Sequence, residues 1–259
     1  MSDGKHGVQS LEIGMGIVRA MVTGQRSMML KDIAAAADMP ASKAHRYLVS
    51  LIRAGLVEQD SMTSRYNLGS FALNIGLVAI DRLDRVRLGL SAIAELRDAI
   101  NETTALAVWG ETGPVIVRWE RPRRPITVNV VTGTALSLLT TASGRVFAAW
   151  LPKNFVDPLI SNELKSKTRS ELKTRNDVET MLENVRAEGF AAITGHYMVK
   201  GVEAVAAPVF NFKNEITMAV VVVGVAGMID MNQSGLVITE LKRSAKELSL
   251  SLGATREQA

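Results

Sequence analysis

Cysteine is absent from the 259-residue sequence. Disulfides, thiolate metal sites and cysteine nucleophiles are excluded with it, and nothing points to an oxidising compartment. Histidine is scarce as well. His6, His45 and His196 are the three present, too few for a transition-metal cluster. No metal and no cofactor is expected. Long apolar runs are also missing. The most apolar stretch, Ile216 to Ile229, carries Thr217, Gly224 and Gly227. It is too short to cross a bilayer and reads as a buried strand. The polar N-terminus has no apolar segment behind a basic start, so no secretory signal is visible. The expectation is a cytoplasmic protein with no membrane partner.

Catalytic signatures are equally thin. Gly14-Met15-Gly16 opens a helix but follows no strand and lacks the remaining glycine of a dinucleotide fingerprint. There is no GxxxxGK[ST] phosphate loop and no G-x-S-x-G nucleophile elbow. Asp and Glu fall at no metal-ligand spacing. An enzyme is not indicated.

What is present is an ordinary globular composition, 47% hydrophobic and 22% charged. At roughly 100–200 residues per domain, two domains are expected. The net charge of +4 permits a polyanionic partner without requiring one.

The glycine-rich, polar residues 1–9 read as a disordered tail. Ser10 suits an N-cap, and Leu11, Ile13, Ile17, Val18, Met21 and Val22 give a helical pattern closed by Gly24. A second short helix spans about Leu30–Ala37. Pro40 then forces a break. A third helix starts near Ala41 or Ser42 and ends before Gly55. Its Ala44, Tyr47, Leu48 and Leu51 form one apolar stripe, and Ser42, Arg46, Val49 and Arg53 lie opposite. Leu56–Glu58 and Tyr66–Leu68 read as a hairpin around the polar turn Ser61–Ser64.

Residues 70–85 read as a linker helix, with a further helix near Val86–Ile100. Strands are then expected at Thr104–Trp109, Val115–Glu120 and Ile126–Val131. A helix follows at about Ala142–Trp150. The charged stretch Ser161–Arg175 reads as a solvated surface segment. A helix at Val178–Glu188 ends at Gly189, strands run over Ala204–Phe210 and Ile216–Val223, and a last helix runs from Gly235 to Leu252. The second domain, 86–259, is therefore α+β, an antiparallel sheet with flanking helices.

Residues 10–69 carry the functional signal. Three short helices and a hairpin form a winged helix-turn-helix pattern, in which the third helix enters the major groove of B-DNA. Ser42 and Lys43 at its start can bond phosphates or bases, and His45, Arg46 and Arg53 can reach further. Thr63, Ser64 and Arg65 on the wing suit phosphate or minor-groove contact. The same pattern also fits a ligand-sensing interaction module with a degenerate winged helix that does not bind DNA.

The segments Leu30–Ala34, Pro40–Leu48, Leu56–Glu58 and Arg65–Gly69 resemble the N-terminal domain of IclR-type bacterial transcription regulators. Thr141–Arg145 resembles that family's helix start at the effector pocket, and Gly201–Phe210 its late signature strand. The resemblance implies a GAF-like effector domain, a homodimer formed through the N-terminal half, often a dimer of dimers, and a near-palindromic double-stranded DNA operator. It implies that a small organic effector alters DNA affinity. By match to the family's motifs, Thr141, Ala142, Ser143, Ala204, Ala206, Val221 and Val223 line the pocket, with Thr140, His196 and Tyr197 available for polar orientation. Relatives that bind very small acids tend to carry serines and a cysteine here. The valines and Ala204 instead favour an apolar ligand body if they face a ligand, and read as ordinary strand core otherwise. An aromatic acid is the expected effector class. Trp109 and Trp119 are expected in core, pocket or interface.

Overall fold

The computed structural model describes residues 7–81, 84–123, 133, 135–166, 171–194 and 201–255. These form two compact units that divide between residues 83 and 84.

In the first unit, α1 (Gln9–Thr23), α2 (Leu30–Ala36) and α3 (Ala41–Arg53) precede the hairpin β1 (Val57–Gln59) and β2 (Tyr66–Leu68), with α4 (Ser70–Asp81) behind. The core joins Ile17 and Met21 of α1, Ile33 of α2, Ala44, Leu48 and Leu51 of α3, and Val57 and Tyr66 of the hairpin. Met28 exchanges both backbone hydrogen bonds with Tyr66, at 3.1 and 2.9 Å, and so anchors the α1–α2 loop to the wing. Ser10 is not the N-cap of α1. The helix starts at Gln9, two residues before the expected start, and Val8 is its N-cap with no side-chain bond. Leu11 and Val22, expected on the apolar face, are exposed because α1 buries Gly14, Ile17, Ala20 and Met21 instead.

The second unit is built on a five-stranded antiparallel sheet of order β4-β3-β7-β6-β5. It begins with α5 (Arg85–Ile100), capped by the Asp84 carboxylate, which accepts from Arg87 N at 3.0 Å. Then come β3 (Thr103–Gly110), β4 (Gly113–Glu120), α6 (Ala142–Trp150), α7 (Lys153–Lys165), α8 (Arg175–Glu188), β5 (Ala191–Ile193), β6 (Val202–Phe210), β7 (Ile216–Val225) and α9 (Leu236–Ser251). Strand alternation sorts the two faces. Ala105, Ala107, Ala206, Ala219, Val221 and Val223 pack with α6, α7 and α8. On the other face Thr104 Oγ1 donates to Ile93 O of α5 at 2.6 Å, and α9 lies beside α5.

Both sheet edges are covered or blunted. Outside β4, Gly133 N and Leu136 N donate to Ile116 O and Pro114 O. Outside β6, β5 pairs only with Ala204–Ala206. Beyond it, Pro208 brings no N–H, and Phe210 N donates to the buried Ser249 Oγ at 3.0 Å.

Two elements differ from expectation. Residues Ser161–Lys165, taken as solvated surface, are the last turn of α7, whose Val156 and Ile160 are buried. Pro152 at its N-cap and Pro158 inside it hide the helical period. The three-residue β5 is too short to announce itself. The expected strand Ile126–Val131 lies outside the described residues, as do residues 1–6 of the expected tail. Among the described residues, no helix is long and apolar enough to cross a membrane, and no cluster of His, Cys, Asp or Glu is arranged to hold a metal ion.

Candidate nucleic-acid interface and effector site

The turn between α2 and α3 is held by backbone. Met39 N donates to Ala34 O at 3.0 Å, and Asp38 takes a left-handed φ of 50°. Pro40 then caps α3 in extended geometry, with its carbonyl accepting from Lys43 N and Ala44 N. Pinned on its back side by Ala44, Leu48 and Leu51, α3 turns Ser42, His45, Arg46 and Arg53 to the surface, and Lys43 is half-buried. The helix carries no acidic residue, so the charges on this face, those of Arg46 and Arg53, are all positive.

The wing is a closed turn. Asp60 N donates to Arg65 O and Ser64 N to Asp60 O, each at 2.8 Å. The Asp60 carboxylate accepts from Thr63 N at 2.8 Å and Met62 N at 2.9 Å, and these bonds hold its carboxyl below the usual carboxylate range. Thr63 and Ser64 are exposed, with Ser64 at φ 56°. Arg65 is only half available, because its Nη1 donates to Ser27 O at 2.9 Å and ties the wing to the α1–α2 loop. Met62, unforeseen from sequence, is 91% exposed at the wing tip.

In the second unit, Thr141, Ala142 and Ser143 are all buried at the start of α6. Thr141 Oγ1 donates to Ser137 O at 2.6 Å and accepts from Gly144 N at 3.0 Å, so this hydroxyl serves as the helix cap. On the facing sheet, Ala204 pairs with Val223 and Ala206 with Val221. Ala142, Ala206, Val221 and Val223 join one cluster with Ala204 against its edge. The predicted lining is thus brought together, largely packed as core. His196 and Tyr197 lie outside the described residues.

Two groups there, Glu163 and Arg145, had no role assigned from sequence, while Trp119 was among the tryptophans expected in core, pocket or interface. Glu163 of α7 receives Ser137 Oγ at 2.6 Å, Leu138 N at 2.7 Å and Leu139 N at 3.0 Å, fixing the loop that enters α6. Arg145 Nε donates to Leu139 O at 2.9 Å, and burial pushes its guanidinium below the ordinary arginine value. Trp119, opposite Ala105 on β4, holds a buried Nε1–H with no partner among the described residues. Trp109 packs against Phe147 of α6, with ring centroids 5.8 Å apart.

A winged helix-turn-helix presenting a cationic recognition helix, joined to an α+β unit, defines a DNA-binding regulator. The comparisons agree. Residues 10–61 match the IclR helix-turn-helix domain, and residues 78–250 match the C-terminal domain of bacterial IclR transcriptional regulators. A glycerol operon regulatory protein of Streptomyces griseus is 30% identical, with 96% of this chain and 98% of that protein covered. The crystal structure of Pseudomonas aeruginosa HmgR is similar at 36% identity and a TM-score of 0.86, covering 96% of this chain and 100% of that one. The fold is shared with the Agobacterium tumefaciens repressor BlcR, at 20% identity and a TM-score of 0.78 over 97% of this chain and 100% of that one. The chain belongs to the IclR family of transcriptional regulators.

Proposed function

We propose that this regulator seats α3 in the major groove of a near-palindromic double-stranded operator and that a small organic effector tunes its affinity. The reading divides the chain into a DNA-binding domain at 10–69, a linker helix at 70–85 and an effector domain at 86–259, working in the cytoplasm as a homodimer or a dimer of dimers. The observation that carries it is the two-sidedness of α3. Ala44 and Leu48 are wholly buried, while Ser42, His45, Arg46 and Arg53 face outward. In this reading Ser42, Lys43, His45, Arg46 and Arg53 meet bases and phosphates, and Thr63, Ser64 and Arg65 meet the flanking backbone.

The effector sits between the start of α6 and the sheet, against Ala142, Ser143, Ala204, Ala206, Val221 and Val223. Thr141 shapes the site as cap, and by match to the family's motifs His196 and Tyr197 are assigned to polar orientation of the ligand. The Streptomyces relatives are named for a glycerol operon. The apolar wall here favours an aromatic acid over a polyol, because buried apolar area supplies the binding energy. The Trp119 Nε1–H is a ready donor to such an acid.

Fluorescence anisotropy with the DNA upstream of the protein's own gene tests the first part. Binding should weaken steeply with salt and be lost in Lys43→Ala/Arg46→Ala, with the fold unchanged. Undiminished affinity in that variant would favour an interaction module that does not use DNA. Calorimetric titration with benzoate and glyoxylate tests the second part, and a preference for glyoxylate would sink the apolar effector.

A further inference from the structure

The charges of the first unit are unevenly shared. Helix α3 offers Lys43, Arg46 and Arg53 with no acidic residue, whereas the hairpin sets Glu58 and Asp60 against one cation, Arg65. That cation is itself drawn back to Ser27 O at 2.9 Å. Attraction to phosphates is therefore concentrated on α3, which leaves the wing to contribute chiefly by contact of another kind.

The tip of the wing is apolar. Met62 is 91% exposed, and no large apolar side chain among the described residues is more so. It takes no part in the buried cluster of its unit, and its neighbours Ser61, Thr63 and Ser64 are exposed hydroxyls. The backbone beneath it is nevertheless held. The Asp60 carboxylate accepts from the Met62 and Thr63 amides, Ser64 N closes onto Asp60 O, and Gln59 Nε2 donates to Ser64 O at 3.2 Å. Below the turn, Met28 ties Tyr66 to the α1–α2 loop. A tip pinned in this way loses little freedom on docking.

An uncharged thioether gains nothing beside a phosphate. In the minor groove it buries apolar surface, and methionine is among the side chains that serve there as apolar wedges. The groove floor differs between base pairs. A·T pairs present acceptors alone, whereas G·C pairs add the guanine N2 amino group, which a thioether would strip of water without replacing its hydrogen bond.

We propose that Met62 lies in the minor groove flanking each half-site and makes the regulator prefer A·T pairs there. The inference rests on the operator reading above and gives the wing a role in sequence choice.

Selection of binding sites by the full chain from a pool of random duplexes tests it, because the operator need not be known beforehand. The wild type should enrich a near-palindromic core with A·T pairs at a fixed spacing outside it. Met62→Ala should keep the core and lose the flanking preference, and Met62→Leu should keep both. On the selected duplex, Met62→Ala should bind about three- to tenfold more weakly, as expected for lost apolar burial. Its salt dependence should match that of the wild type, since no phosphate contact is removed, whereas Lys43→Ala should flatten it. A flanking preference that survives Met62→Ala, or is missing from the wild type, would overturn the proposal while leaving the operator reading standing. Unchanged affinity in Met62→Ala would overturn it as well. No enrichment by the wild type would overturn the operator reading, and this inference with it.

Discussion

Replacing Gly144 with alanine pits local helix preference against a close backbone approach. Within a helix, alanine is favoured over glycine by up to about 1 kcal/mol. At Gly144, however, a Cβ would overlap the Ser137 carbonyl oxygen and come within 2.7 Å of Leu138 Cα and 2.8 Å of Thr141 Oγ1. The loop cannot simply retreat, because Glu163 grips Ser137, Leu138 and Leu139 through three hydrogen bonds. Overpacking of this kind costs about 1–3 kcal/mol. Disturbing the Thr141 cap adds about 1 kcal/mol. Set against the propensity gain, the net loss is about 1–3 kcal/mol. All three tryptophans, Trp109, Trp119 and Trp150, lie in the second unit, so indole fluorescence follows its unfolding alone. With a urea slope of about 2 kcal/mol/M, the midpoint should fall by about 0.5–1.5 M. In a Glu163→Ala background the penalty should shrink, because the loop is then freer to yield. A midpoint raised by Gly144→Ala, or an equal penalty in both backgrounds, would refute the reasoning.

Trp119→Phe removes an unpaired buried N–H, which offsets the packing lost; stability should change by less than about 1 kcal/mol while benzoate affinity falls about five- to tenfold. Calorimetry and urea unfolding check both numbers, and unchanged affinity would exclude Trp119 from the site. Ser249→Ala should cost about 1–3 kcal/mol by stranding the Phe210 N–H, read from the same urea midpoint. The Asp60 carboxyl titrates below its unfolded value, so its support of the wing is present above about pH 4 and lost as pH falls through the folded pKa. Exchange of the Met62 and Thr63 amides, followed by NMR, should accelerate across that range in the wild type and show no such step in Asp60→Asn.

The elements legible in sequence are those whose own residues carry the pattern. The α3 stripe of Ala44, Leu48 and Leu51, the valine run of β7 and the Gly189 stop of α8, left-handed at φ 74°, are all local. The start of α8 was placed late because its Thr174–Asp177 capping box precedes the first apolar residue, Val178. Site features that depend on distant partners left no local trace. Arg65 reads as wholly available to a ligand, yet Ser27 O, far back in the chain, takes one of its N–H groups. Glu163 looks like one more surface charge until the loop at Ser137 folds onto it. Thr141 reads as ligand-facing, yet its hydroxyl is consumed as a cap.

The bare end of β6 also limits how copies of this chain can join. With Pro208 lacking a donor and the Phe210 amide already spoken for by Ser249, a visiting strand finds no ladder to continue. Sheet-to-sheet joining is thereby closed on that margin. Among the described residues, the exposed Phe71, Leu73, Ile75 and Leu77 of α4 offer an apolar helical surface for such joining instead.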